Sequence, residues 1–112
     1  MNKDWEKEFS AAITICDKNG LILNMNDKAA DTFQDYGGRD LIGKKLFDCH
    51  SPESADKIKR QMSSGLSNTY TIEKNGIKKL IFQSPWYDNG EVNGLVEISI
   101  VLPDEMPHFV RS

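Results

Sequence analysis

Cys49 and His50 stand side by side in the stretch DCHSPES, a thiol beside an imidazole just ahead of a proline. A neutral imidazole nitrogen facing an apolar cavity can ligate haem iron, and a nearby thiol or thioether can supply a second axial ligand. Cys49 and Met62 are the candidates for that second position, although Met62 is in phase with Ile58, as a core side chain would be. The plainer role for His50 is local: it shapes the turn before a helix and satisfies backbone groups there. Cys16 and Cys49 lack C-x-x-C spacing, so they mark neither a zinc site nor a disulfide framework. The second histidine, His108, follows Pro107 in a polar tail, where solvent exposure is expected. Asp17, Asp27 and Asp88 fall at turns and caps, where aspartate bonds its own backbone. No Ser/His/Asp set or paired carboxylates stand out, so catalysis is not expected.

The chain that must position these groups has 112 residues, the size of one domain. Folding at this length buries roughly 65% of the unfolded surface, enough for one core and one modest pocket. Apolar runs are only a few residues long, too short to cross a bilayer, and the N-terminus has no signal-peptide pattern. A soluble cytoplasmic protein without membrane contact is expected. Net charge is −3 with mixed signs, and the short basic runs KIKR and Lys78-Lys79 do not form the clustered cations that bind phosphates. Nucleic acid is not an expected partner.

Asp4 to Ser10 reads as a short helix with Trp5 and Phe9 on one face. AAITICDKNGLILNMN reads as a hairpin turning at Asn19-Gly20. Asn26 then caps a helix carrying Ala29, Ala30 and Phe33, ended by Gly37-Gly38. After His50, Ser51 fits an N-cap, Pro52 the first helical position and Gly65 the stop, with Ala55, Ile58 and Met62 as the buried stripe. Three strands follow, joined at Asn75-Gly76 and Asn89-Gly90, the residues a type I′ turn requires. The last strand places Val92, Val96, Ile98, Ile100 and Leu102 on one face; the phase of the strand before it stays open, because Leu80, Phe82 and Trp86 alternate with Ile81 and Tyr87. The outcome is an α+β domain, one antiparallel sheet with helices on one face.

CDKNGLILNMNDKA, GGRDLIGKKLFD, HSPES and DNGEVNGLVEISI, in that order and spacing, resemble a PAS domain, with Asp17, Gly20 and Asn26 at the family's aspartate, glycine and asparagine. The resemblance runs from about Ala12 to Leu102. It divides the chain into an N-terminal flanking helix at 1–11, the PAS domain at 12–102 and a tail at 103–112. It implies a five-stranded antiparallel sheet whose concave face and helices enclose a small-molecule cavity. It also implies an N-terminal helix packed on the other face, often across a dimer. Family members carry a His-Pro-Glu-Asp-like element where this chain reads His50-Ser51-Pro52-Glu53, with Ser51 inserted. Some haem-binding members resemble this chain around His50; others carry their histidine within the long helix, which here has none. The Asn-Cys-Arg context of light-sensing flavin domains is absent, so FMN is not expected.

The resemblance therefore implies a non-catalytic sensory domain with Phe33, Phe47, His50, Ile58, Met62, Tyr70, Phe82, Val96 and Ile98 as candidate cavity residues. The cofactor is left unnamed, with haem at His50 the minor alternative. A filled core serving a pure dimerisation or docking module is the main alternative. Either way, output passes through contacts: a homodimer through Trp5, Phe9 and the outer sheet face, and a separate effector protein. Glu97 and Ser99 are expected on that outer face with Ile81, Gln83 and Tyr87.

Overall fold

The computed structural model describes residues 4–46 and 51–112. Its strands are β1 (Ala12–Asp17), β2 (Ile22–Met25), β3 (Asn68–Lys74), β4 (Ile77–Asp88) and β5 (Glu91–Val101), with helices α1 (Asp27–Thr32) and α2 (Pro52–Ser64). The five strands form one antiparallel sheet in the order β2-β1-β5-β4-β3. Both turns of the meander are of the expected kind, with positive φ at Asn75, Gly76, Asn89 and Gly90.

Local chemistry sets the helix ends. Asn26 is buried and works in three directions: its Oδ1 accepts from the N–H of Ile13 and of Ala29, and its Nδ2 donates to the Ala11 carbonyl. One side chain thus caps α1 and ties it to β1. Ser51 Oγ accepts from the Ser54 N–H at 3.2 Å, Pro52 opens α2, and Gly65 closes it at φ 70°. Between α1 and residue 46 the chain winds through two short 3₁₀ turns, Gln34–Tyr36 and Gly38–Leu41, separated by Gly37 at φ 113°.

The stripe of Ala55, Ile58 and Met62 is buried against the sheet, where Ile58 and Met62 meet Cys16 and Leu95. Burying each of those two side chains contributes about 2 kcal/mol. A second cluster joins Ala12, Ile22, Met25 and Ala29, with Phe33, Leu41 and Leu46 against it. Two further bonds anchor α2 over β4: Gln61 Nε2 donates to the Gln83 carbonyl at 3.2 Å, and Tyr87 OH to the Gly65 carbonyl at 3.3 Å.

The N-terminal segment departs from expectation. Residues 5–8 form a turn rather than an α-helix, held by bonds from Lys7 N–H to the Asp4 carbonyl and from Phe9 N–H to the Glu6 carbonyl. Nucleating a helix costs more than so short a piece returns unless its apolar face is buried. Here Trp5 remains 64% exposed and Phe9 46%, packed edge-to-face on each other at 5.3 Å. The segment docks instead through Lys7, whose carbonyl accepts from Asp27 N–H and whose ammonium pairs with the Asp27 carboxylate.

Candidate functional site

A cavity of about 840 Å³ lies on the concave side of the sheet, and Ile58 of α2 forms part of its wall. Strand alternation decides which residues line it. Ala12, Thr14 and Cys16 face it from β1; Tyr70 and Ile72 from β3; Ile77, Lys79, Ile81 and Gln83 from β4; and Leu95, Glu97 and Ser99 from β5. Phe33, Tyr36 and Leu41 close the end near α1.

The expected phase of the last two strands is therefore inverted. Ile81, Gln83, Glu97 and Ser99, expected outside, face the cavity. Phe82, Val96 and Ile98, expected inside, pair across the opposite face, where Ile98 meets both Ile13 and Phe82, and Val96 meets Ile15 and Ser84. In β5 the cause is a bulge. Tyr87 pairs with Val92 but Trp86 pairs with Gly94, leaving Asn93 as an extra residue in β5. Val92 accordingly packs with Cys16, Met62 and Leu95, while Val96 and Ile98 fall on the far side. Carrying the phase of Val92 along the strand misplaces every later residue.

Of the other expected cavity residues, Phe33, Ile58 and Tyr70 line the space, and Met62 sits in the adjoining cluster with Ile58 and Leu95. Phe47 and His50, like Cys49, lie outside the described residues. Among the described residues no group of three or more His, Cys, Asp or Glu could hold a metal, and His108 is exposed in the tail.

The sequence reading missed a polar line across this face of the sheet, which Thr14, Gln83 and Glu97 bring into the cavity floor. Asn68, Gln83, Glu97 and Thr14 are direct cross-strand partners, one from each of β3, β4, β5 and β1. Asn68 Nδ2 donates to Gln83 Oε1 at 3.5 Å, and Gln83 Nε2 donates to Glu97 Oε1 at 3.0 Å. Apolar side chains flank the line: Leu95 and Cys16 on one side, Ile81 and Ala12 on the other. A glutamine and a glutamate directly opposed across β4 and β5 were the available signal, once the bulge is counted. Burial pushes the Cys16 thiol up, with the Leu95 backbone opposing and the charges of Asp17 and Glu97 adding to the rise. Burial also raises the Tyr70 phenol, with Glu97 contributing.

Gly94 makes a different kind of contact. Trp86 Nε1 reaches across it to donate to the Cys16 carbonyl at 2.9 Å, linking β4 to β1 over the intervening β5. The outer face around it is apolar: Ile13 is buried, Val96 and Ile98 are half-buried, and Phe82 and Ile100 are exposed.

Comparison with known proteins agrees with this geometry. A PAS-domain family model matches residues 10–100. The fold resembles the PAS domain of histidine kinase ThkA (18% identity, TM-score 0.65, 82% of this chain and 99% of that one). It also resembles the Aer2 receptor of Vibrio cholerae, described as a dual PAS-heme oxygen sensor (15%, 0.62, 83% and 95%). VqmA bound to DPO matches at 16% identity and TM-score 0.69, over 88% of this chain and 55% of that one. Among curated proteins the comparison finds no match. PAS domains are sensory modules common in signalling proteins, and no described helix here is long and apolar enough to cross a membrane. With the family match spanning most of the chain and the five-strand order in place, the chain belongs to the PAS domain family.

Proposed function

We propose that this chain is a non-catalytic cytoplasmic sensor: a small molecule occupies the cavity between α2 and the concave sheet face, and occupancy is reported by protein contact. The cavity carries the reading. Its volume, about 840 Å³, lies within the range of roughly 300–1,000 Å³ that small-molecule sites occupy. A fully packed core would leave no such space. The occupied states named for VqmA and Aer2 support the same use of the fold. The sensory unit is residues 12–102, with 1–11 and 103–112 as flanking segments. Among the described residues no imidazole enters the cavity, so haem draws no support from them.

The contact surface in this reading is the apolar outer face together with the exposed aromatics Trp5 and Phe9, joining a second copy of the chain and a separate effector. Edge-to-face aromatics left this exposed are suited to a partner surface.

Thermal unfolding with ethylbenzene tests the cavity. A saturating apolar occupant raises the midpoint, and Ser99→Phe, which fills the floor, abolishes the rise. No shift in the unsubstituted protein refutes the cavity and favours a filled-core docking module. Light scattering tests the contact: Trp5→Ser shifts the dimer toward monomer, whereas an unchanged dimer removes Trp5 from the seam.

A further inference from the structure

The polar line across the cavity floor gives the occupant a chemistry, and this inference rests on the ligand-binding reading above. We propose that the cavity takes a small molecule with an apolar body and a cationic or multiply N–H-bearing edge, such as an amidine, a guanidine or an amino-heterocycle, whose edge docks on Glu97 beside Gln83 and Thr14.

Glu97 is half-buried in the central strand β5 and faces the cavity. Its one side-chain partner among the described residues is a neutral amide, Gln83 Nε2 at 3.0 Å, and no Lys or Arg of the described residues lies within 4.0 Å of it. A carboxylate accepts only, and its two oxygens offer about four lone-pair sites. A single amide donor leaves most of that capacity open toward the cavity. The Gln83 amide cannot turn to present its oxygen there without giving up both the Glu97 bond and the Asn68 bond. Donors therefore point toward Glu97 from the β3 side, and acceptor capacity converges on one spot on the floor.

The surroundings fix the rest of the ligand. Rows on one face of a strand lie about 7 Å apart, the breadth of one aromatic ring. A planar ring can lie over Ile81, Ser99 and Ala12 in one row while its donor edge meets Glu97 in the next. Thr14, directly opposite Glu97 on β1, places a hydroxyl at the other flank of that edge.

Three lysines, Lys44, Lys74 and Lys79, also line the space. Lys79 stands four residues along β4 from Gln83, about 13 Å of strand, near the β3–β4 turn with Lys74. Lys44 and Lys74 are exposed. The exposed ammonium groups of Lys44 and Lys74 attract anions weakly, and half-buried Lys79 stands two rows from Glu97 along the sheet. The charge on the floor is Glu97, and a carboxylate ligand laid there would meet it with like charge.

Three probes of similar shape separate the outcomes: benzamidinium, benzoate and ethylbenzene, titrated into the full chain by calorimetry. The expected result is that benzamidinium binds at least about tenfold more tightly than benzoate. In Glu97→Gln that preference falls to less than about threefold, while ethylbenzene affinity is unchanged. Should Glu97→Gln fail to fold, Glu97→Asp keeps the charge but withdraws it by one methylene, and it must weaken benzamidinium without weakening ethylbenzene. Benzoate binding as tightly as benzamidinium, or a preference that survives both substitutions, overturns the donor-edge assignment. If ethylbenzene binds and benzamidinium does not, this inference falls and the sensory reading stands; if none of the three binds, both fall.

Discussion

Gly94 is the position where one added methyl group should do the most damage. A Cβ there would lie 1.9 Å from the Cys16 carbonyl oxygen and 2.4 Å from Trp86 Nε1, against an ordinary contact of 3.4 Å or more. Relief needs a shift of about 1.5 Å between β5 and the Cys16 backbone of β1, together with expulsion of the Trp86 indole from its groove. Expulsion breaks the bond from Nε1 to the Cys16 carbonyl, about 1 kcal/mol net and more if the carbonyl stays buried and unpaired. Overpacking adds about 1–3 kcal/mol, so Gly94→Ala should lose about 2–4 kcal/mol in total, a large share of the roughly 5–15 kcal/mol that holds a domain. In urea, with a slope of about 1.5 kcal/mol/M, the midpoint falls by about 2 M. Gly90→Ala is the matched control: its φ is +82°, so it bears backbone strain of about 1–2 kcal/mol, but nothing lies within 4 Å of the new atom. Trp86→Phe removes the donor alone and should cost about 1 kcal/mol; added to Gly94→Ala it should cost almost nothing more, because the bond is already gone. A midpoint loss for Gly94→Ala no larger than for Gly90→Ala would refute the crossing of Trp86 over β5.

Asn26→Ala removes three buried hydrogen bonds and should lower stability by about 3 kcal/mol, or at least about 10 °C in the thermal midpoint. Asn26→Asp keeps the two bonds accepted from Ile13 and Ala29 and should fall between; equal losses would mean that the cap geometry is not what matters. Cys16 predicts a pH effect. Burial raises its thiol above the ordinary value in the fold, so the folded chain holds the proton more tightly than the unfolded chain. The stabilisation is complete at neutral pH and is lost as pH climbs through the folded value, and Cys16→Ala should flatten the decline in urea midpoint as pH rises above the ordinary thiol range. In a Cys49→Ser background, native Cys16 should react with a disulfide reagent far more slowly than the unfolded chain, and equal rates would contradict its burial.

Turn and cap chemistry made much of this fold readable in advance. Asn-Gly pairs located both meander turns because few other residues tolerate positive φ twice in succession. Asn26, Ser51, Pro52 and Gly65 marked helix ends through bonds that each residue makes locally. The cavity floor was less legible, for two physical reasons. Leu80, Ile81 and Phe82 are all apolar, so alternation could not choose a face for β4. A single extra residue, Asn93, reversed the parity of β5, and no local propensity announces a bulge of that kind. The N-terminal segment misled in the opposite way: Trp5 and Phe9 have helical spacing, yet spacing alone does not hold a helix that finds nothing to pack on.

The alternation of β4 and β5 has a mechanical corollary. Gln83 sits between Phe82 and Ser84, and Glu97 between Val96 and Ile98, so each floor residue shares peptide planes with neighbours on the convex side. A tug on the Glu97 carboxylate that twists β5 by a few degrees tilts Val96 and Ile98 directly, with the thickness of one polypeptide as the whole transmission distance. In a sheet built this way, news of an arrival inside needs no chain of intermediaries to register on the skin.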